Sequence, residues 1–216
     1  MDILLTDTEV RVLGCLLEKE MATPEYYPLS LNGLINACNQ KSNRNPVVEY
    51  DEQTVEEALS GLKEKGLVRQ SNVSRVPKYE QNFTIPHKLV NREAAVLCVL
   101  LLRGPQTIGE IRGRTERLYK FAGLEETEET VGSLADLGYL VQLPRQPGRK
   151  ESRHMHLLAG ETMVEQVDDI PPGPATVVRS RGVDERIAAL TEEVDELRRE
   201  LQELKQVFAE FKGQFE

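Results

Sequence analysis

The chain has 216 residues, of which 39% are hydrophobic and 29% are charged. Acidic residues number 36 and basic residues 27, and the resulting net charge of -9 excludes a uniformly basic nucleic-acid-binding protein. The longest apolar run, residues 94–102, is far shorter than the roughly 20 residues of a membrane-spanning helix, and the N-terminus has no signal-peptide pattern. We therefore expect a cytoplasmic protein that does not associate with a membrane.

Residues 1–86 predict a first winged-helix domain, a variant of the helix-turn-helix in which a β-hairpin follows three helices. Thr6 and Glu9 have the spacing of a capping box at the start of the first helix. The second helix begins at Ser30, and the third covers residues 51–65 and ends at Gly66. Two segments around a turn, residues 67–71 and 78–83, predict the hairpin.

Residues 87–160 repeat this order and predict a second winged-helix domain. A nearly all-apolar helix covers residues 91–103, a second helix begins near Thr107, and a third covers residues 125–137. The first helices are offset by 84 residues and the third helices by 72, so the first domain contains about 12 extra residues between these points. The predicted fold class is α+β, mainly α-helical with small β-hairpins.

Two further segments follow the predicted domains. Residues 161–182 contain three prolines and no helical or strand period, which predicts a linker. Over residues 183–216 the apolar positions alternate in steps of four and three, the pattern of a two-stranded parallel coiled coil. We expect a homodimer through this helix, and the alternative is a single amphipathic helix that folds back on its own chain. The predicted dimer contacts are Ile187, Leu190, Val194, Leu197, Leu201, Leu204 and Phe208.

A distinctive block at residues 23–47, TPEYYPLSLNGLINACNQKSNRNPV, resembles the YceH-like family of uncharacterised bacterial proteins. The segments at residues 9–20, 101–107 and 155–158 fit the same family, so the resemblance covers nearly the whole chain. It implies a tandem winged-helix fold with a C-terminal helix. It brings no established activity and no catalytic residues, and the function stays open.

The third helix of each predicted domain has the wrong charge for reading DNA bases. Residues 51–65 include five acidic residues and only two lysines, both near the end, and residues 125–137 include five acidic residues and no basic one. Acidic residues near a helix N-terminus also serve ordinary helix stability. Because they repel phosphates, we expect neither helix to enter the major groove.

Positive charge is concentrated in residues 87–160, where 11 basic and 9 acidic residues give a net charge of +2. We expect a surface there that holds the DNA backbone without reading the sequence. The alternative is a solvated face whose arginines pair with Glu110, Glu116 and Glu151. The candidate residues are Arg112, Arg114, Arg117, Lys120, Arg145, Arg149, Lys150 and Arg153.

A second candidate surface lies in the first domain, where Asn32, Asn36 and Asn39 fall on one stripe of the second helix. Because Asn is a poor helix former, three on one stripe indicate a requirement beyond helix propensity. The alternative is an internal hydrogen-bond network that fixes the long connection over residues 41–50. The candidate nucleic-acid contacts here are Asn36, Asn39, Lys41 and Arg44.

The sequence contains no motif of a known catalytic or metal site. It has no glycine-rich phosphate loop, nucleophile elbow or paired Cys-x-x-Cys, and its three cysteines lie among apolar residues and are predicted to be reduced core residues. His154 and His156 share one face of a strand, but a metal needs a third ligand, and we expect a surface strand. We expect no catalytic residues, no metal and no cofactor.

Two hypotheses about function follow. In the first, the chain is a non-enzymatic dimer that associates with double-stranded DNA, in a regulatory role, through backbone contacts of the second domain. In the second, it is a protein–protein adaptor whose acidic third helices face a basic protein partner, with no nucleic acid bound and with dimerisation supplying avidity.

Overall fold

The computed structural model describes residues 3–71, 76–145 and 151–160. Within these ranges the chain forms six α-helices and five short β-strands, an α+β fold as the sequence predicts. The predicted linker over residues 161–182 and the predicted coiled coil over residues 183–216 lie outside the described residues. So do two of the candidate basic residues, Arg149 and Lys150.

The first half of the described chain has the predicted helix order. Its elements are α1 (Asp7–Ala22), β1 (Leu29–Ser30), α2 (Leu31–Cys38), α3 (Glu52–Glu64), β2 (Val68–Ser71) and β3 (Lys78–Gln81). The capping box at the start of α1 is confirmed: the Glu9 N–H donates to Thr6 Oγ1 (3.2 Å), and the Thr6 N–H donates to Glu9 Oε2 (2.8 Å). Hydroxyl and carboxylate caps at Ser30 and Asp51 begin α2 and α3 in the same way.

The second half repeats the order of the first. Its elements are α4 (Asn91–Arg103), α5 (Ile108–Thr115), α6 (Leu124–Asp136), β4 (Leu140–Gln142) and β5 (His154–His156). α4 begins 84 residues after α1, and α6 begins 72 residues after α3, as the sequence predicts. The extra residues of the first half lie in a longer α1 and in longer connections on either side of α2.

The strands form two small antiparallel sheets. In the first half the strand order is β1-β3-β2, with Leu29 opposite Tyr79. In the second half β4 pairs with β5. Gln106, which lies just before α5, forms an isolated bridge with His154. This position corresponds to that of β1, which lies just before α2 in the first half. The sequence does not predict β1, because a two-residue strand is too short to show an alternating pattern.

The packing of α1 against α4 joins the two halves in one hydrophobic core. Leu13 and Leu16 of α1 and Leu97 of α4 are fully buried in this core. The approach is close at Gly14, where an added Cβ would lie 3.0 Å from Leu102 Cδ2. The two halves therefore share their central helices, while the predicted boundary between residues 86 and 87 stays a prediction.

Burial explains the apolar sequence of α4. Every residue over 94–102 is buried, and each fully buried leucine contributes about 1.5–3 kcal/mol relative to an exposed one. Among the helices of residues 3–71, 76–145 and 151–160, none has both the length and the hydropathy to span a membrane.

Both third helices end at a glycine in the left-handed conformation, as the sequence predicts. Gly66 has φ +71° after α3, and Gly138 has φ +78° after α6. The following N–H folds back in each case: Leu67 donates to the Leu62 carbonyl and Tyr139 to the Leu134 carbonyl, both at 2.9 Å. The shared ending places β2 and β4 equivalently after their helices.

We expect Gly138→Ala to lower the free energy of unfolding by about 1 kcal/mol, because a Cβ disfavours the left-handed conformation. The matched control is Gly132→Ala in the exposed interior of α6, where an added Cβ meets nothing within 4 Å. This change is expected to raise the free energy of unfolding by up to about 1 kcal/mol. Urea denaturation measures both, and effects of the same sign would contradict the assigned helix end.

Candidate nucleic-acid interface

The orientation of α5 is set by its first turn and its buried side. Thr107 and Glu110 form a capping box, with the Thr107 N–H donating to Glu110 Oε2 (3.0 Å) and the Glu110 N–H to Thr107 Oγ1 (3.3 Å). Ile111 is buried on the inner side of the helix. Gly109, Arg112 and Gly113 are therefore exposed on the outer side.

Four of the candidate basic residues are exposed and have no partner within the described ranges. Their side chains make neither a hydrogen bond nor an ion pair there. A cation without a carboxylate partner is free to bind an external anion. These four residues, which we call the free cations, are Arg112, Arg117, Lys120 and Arg145.

Two other candidates, Arg114 and Arg153, share the carboxylate of Glu110. Arg114 Nη2 lies 3.6 Å from Glu110 Oε1, and Arg153 Nη1 lies 3.2 Å from Glu110 Oε2. Arg153 Nη1 also donates to the Pro105 carbonyl (2.7 Å). The structure thus brings the hairpin side chain beside α5, and for these two arginines the predicted alternative of pairing with Glu110 is confirmed.

Arg103, at the end of α4, is a further basic neighbour that is not among the predicted residues. Burial and then the charge of Arg114 lower its pKa, so the two guanidinium groups lie close enough to interact. Its Nη2 also donates to Asn43 Oδ1. Arg103 is the last residue of α4, and α5 begins only a few residues later. This short distance along the chain is a sequence signal that places Arg103 near the basic residues of α5.

Arg44 is not available to a nucleic acid, contrary to the prediction. Its side chain is fully buried, and its two Nη atoms bind the Glu18 carboxylate at 3.0 and 2.6 Å. The remaining N–H groups donate to the Ala37 and Asn43 carbonyls and to Gln40 Oε1. All five donors are used inside the protein, so none is left for a phosphate.

The Glu18–Arg44 pair is electrostatically well matched. Burial raises the pKa of Glu18, but the hydrogen bonds and charge of Arg44 outweigh it and hold that pKa below its usual value. The same carboxylate raises the pKa of Arg44 although burial opposes this. Both groups are therefore charged inside the protein.

Asn39 also has an internal role. Its Nδ2 donates to the Tyr50 carbonyl (2.8 Å), and its Oδ1 accepts from the Tyr50 N–H (2.8 Å). The alternative of a network that fixes the connection before α3 is thus confirmed for this residue. Asn36 and Lys41 are exposed and make no side-chain bond within the described part of the chain, so they stay candidates.

The outer sides of α3 and α6 are acidic. The helices bury apolar and threonine side chains, such as Val55 and Leu59 in α3 and Thr127 and Val131 in α6, and turn their carboxylates to solvent. Glu126 is half-buried, and it accepts hydrogen bonds from Tyr119 Oη (2.9 Å) and from the Ala122 N–H (2.7 Å). The exposed acidic residues are Glu52, Glu56, Glu57 and Glu64 of α3, and Glu125, Glu128, Glu129 and Asp136 of α6.

The prediction that the two histidines of β5 lie on a surface strand is wrong. His156 is buried and His154 is half-buried, because β5 contacts α4 as well as β4. Burial lowers the pKa of both. Among the residues that the structure describes, no group of three or more His, Cys, Asp or Glu side chains is placed to hold a metal ion.

The described residues form an α+β protein of two similar halves, with exposed basic residues in and after α5 and exposed acidic residues on α3 and α6. A protein-family profile described as "Protein of unknown function, DUF480" matches residues 5–149. The chain is 54% identical to a UPF0502 protein of Solibacter usitatus and 52% identical to one of Geobacter sulfurreducens, covering all of both chains in each case. A UPF0502 protein of Koribacter versatilis is 52% identical over 91% of this chain and 92% of its own.

The chain belongs to the DUF480/UPF0502 family of uncharacterised bacterial proteins. This membership confirms the resemblance that the block at residues 23–47 indicates. The family names state no activity, ligand or partner.

We expect Glu18→Ala to lower the free energy of unfolding by about 3–5 kcal/mol, because it leaves the buried guanidinium of Arg44 without its carboxylate. The control is Lys19→Ala, which removes a partly exposed cation 3.1 Å from the same carboxylate. It is expected to cost less than about 1 kcal/mol. Urea denaturation compares the two, and equal losses would contradict the burial of the Glu18–Arg44 pair.

The stability of the protein is expected to fall at acid pH partly because of His156. Burial lowers its pKa from 6.5 to about 4, so between these values the unfolded chain binds a proton that the folded chain does not. At about pH 5 this costs about 2 kcal/mol of the free energy of unfolding relative to neutral pH. Urea denaturation of the wild type and His156→Leu at both pH values measures the difference, and identical pH dependence would show that His156 is solvated.

Proposed function

We propose that the protein is a non-enzymatic, cytoplasmic DNA-associated protein that holds double-stranded DNA by its phosphates through the α5 side of the second half. The observation that supports this most directly is the set of four free cations. Because none has a carboxylate partner in the described ranges, a phosphate can bind each without first breaking an ion pair.

A tandem winged-helix architecture is part of this proposal. Three helices followed by a hairpin occur in each half, in the same order. The pairing of β1 with β3 and the bridge between Gln106 and His154 add a third strand segment at equivalent places. These similarities support a common design for the two halves.

The composition of α5 supports close approach of a ligand to the helix. Gly109 and Gly113 are exposed, and an added Cβ at either would meet nothing within 4 Å. Each glycine costs about 1 kcal/mol of helix stability relative to alanine, and packing does not explain this cost. The absence of side chains would let a sugar–phosphate backbone lie against the helix beside Arg112.

The first half supplies a weaker second contact. Asn32 and Asn36 are the second and sixth residues of α2, the same positions that the two exposed glycines hold in α5. Both side chains are exposed, and Lys41 follows on the surface. Short polar side chains of this kind can donate hydrogen bonds to phosphates.

The acidic faces of α3 and α6 argue against reading of DNA bases by either third helix. Their carboxylates point to solvent, where a phosphate groove would repel them. The proposed binding is therefore independent of sequence. The predicted coiled coil over residues 183–216 would unite two copies and so increase the apparent affinity for one duplex.

A second candidate function is a protein–protein adaptor, and the eight exposed carboxylates of α3 and α6 favour it. A basic protein segment would complement these faces and gain association rate from them. In this alternative the free cations are solvated surface residues.

The test measures binding of the full-length protein to a random-sequence DNA duplex by fluorescence anisotropy over a range of salt concentrations. We expect the affinity to fall steeply with salt, and Arg112→Ala/Arg117→Ala to weaken it roughly tenfold or more with a slope smaller by about two ions. The matched control, Lys63→Ala/Arg69→Ala, removes the same charge from the first half and is expected to have little effect.

Equal losses in the two double variants would mean that only net charge matters and would contradict the assigned surface. No binding to the duplex at low salt, together with salt-sensitive binding of a lysine-rich peptide, would favour the adaptor instead. Circular dichroism of each variant confirms that the fold is intact.

A further inference from the structure

Each half has a buried carboxylate in the first turn of its first helix. Glu9 of α1 and Glu93 of α4 are both buried, and they are 84 residues apart, the same offset as the two helices. One oxygen of each accepts the N–H of the residue three positions earlier, from Thr6 to Glu9 Oε2 (2.8 Å) and from Val90 to Glu93 Oε2 (3.0 Å). The two carboxylates are therefore equivalent parts of the two halves.

In the first half a lysine binds the other carboxylate oxygen. Lys65 follows the last residue of α3, and its Nζ forms an ion pair with Glu9 Oε1. The carboxylate occupies the space that a side chain at Gly61, one helical turn before Lys65, would take. The Lys65 side chain is 35% exposed and the Glu9 side chain only 5%. A cation at the protein surface therefore reaches this buried carboxylate.

In the second half a leucine stands in the place of this lysine. The equivalents of Gly61 and Lys65, at the 72-residue offset of α6 from α3, are Ser133 and Leu137. Ser133 Oγ donates to Glu93 Oε1 (3.2 Å), so the carboxylate lies against α6 as its equivalent lies against α3. No Lys or Arg of residues 3–71, 76–145 and 151–160 forms an ion pair with Glu93. The second half thus lacks the cation that the first half supplies.

The Glu93 carboxylate can accept an external cation. An ionised carboxylate has about four acceptor positions, and Glu93 uses two of them within the described part of the chain. A cation that donates a charge-assisted hydrogen bond is the strongest partner for such a group, and burial strengthens the interaction.

The surroundings of Glu93 favour a cation carried by a protein side chain. Val90, whose N–H binds Glu93, and Leu137, one helical turn after Ser133, are both exposed apolar residues. An inorganic cation would leave these two side chains in water, whereas a protein segment can cover them. A DNA backbone does not fit this position, because the carboxylate repels phosphates.

We propose that Glu93, Val90 and Leu137 form a docking site for a protein segment that presents a lysine or arginine between apolar side chains. The basic group binds Glu93 Oε1 as Lys65 binds Glu9 in the first half, and the apolar neighbours cover Val90 and Leu137. This inference goes beyond the proposed DNA association and does not depend on it. The site is also separate from the eight exposed carboxylates of α3 and α6, because Glu93 is a buried residue of α4.

The test selects peptides that bind the full-length protein from a random peptide library displayed on phage. We expect the enriched peptides to contain a lysine or arginine flanked by apolar residues. A labelled synthetic copy of one enriched peptide is then titrated with wild type and with Leu137→Lys, and binding is measured by fluorescence anisotropy. We expect Leu137→Lys to weaken binding roughly tenfold or more, because the new lysine pairs with Glu93 and an apolar contact is lost.

The matched control is Leu124→Lys, which adds the same charge at the other end of α6. Leu124 is 48% exposed and Leu137 53% exposed. Because Leu124→Lys leaves the docking site unchanged, it is expected to alter the affinity by less than about threefold. Replacing the basic residue of the peptide with glutamine is expected to weaken its binding to wild type and to have little effect on binding to Leu137→Lys.

Three results would overturn the proposal. They are a selection that enriches no peptide, enriched peptides without a basic residue, and equal affinities of Leu137→Lys and Leu124→Lys for the enriched peptide. The last result would mean that only the overall charge of the protein attracts the peptide. Circular dichroism of both variants confirms that the fold is intact.

Discussion

The close packing of α1 on α4 is the constraint on which the rest of the structure depends. These two helices supply the central part of the core, and an added Cβ at Gly14 would lie 3.0 Å from Leu102 Cδ2, closer than an ordinary contact. Because each helix uses its buried side on the other, the remaining helices of both halves must pack around this pair. The outward faces of α2, α3, α5 and α6 follow from that arrangement.

The most distinctive part of the sequence serves this packing. The connection between α2 and α3 reaches the end of α4, where the Asn45 N–H donates to the Leu102 carbonyl (2.9 Å). Arg44 reaches inward to Glu18 of α1, and Asn39 closes the connection on Tyr50. Two of the polar residues that suggest a binding surface in the sequence, Asn39 and Arg44, are therefore internal partners that fix the long connection.

Local sequence signals predicted most of the helices and strands, but they could not predict contacts between residues that are far apart in the sequence. Capping boxes, helical periodicity and terminal glycines gave the helices, their order and their offsets, because each signal acts within one turn of chain. The Arg44 side chain is buried because it binds the Glu18 carboxylate of α1, and His156 is buried because β5 contacts α4. Neither contact is visible in the local sequence. The free cations were predictable, because exposed charge is the ordinary state of arginine and lysine.

We propose that phosphates contact the α5 side of the protein and avoid α6. Nuclear magnetic resonance of the labelled full-length chain with a DNA duplex tests this most directly, since the glycine amides report on both helices. We expect the Gly109 and Gly113 amide signals to shift as duplex is added and the Gly132 signal to stay unchanged. A shift of Gly132 with both α5 glycines unchanged would contradict it.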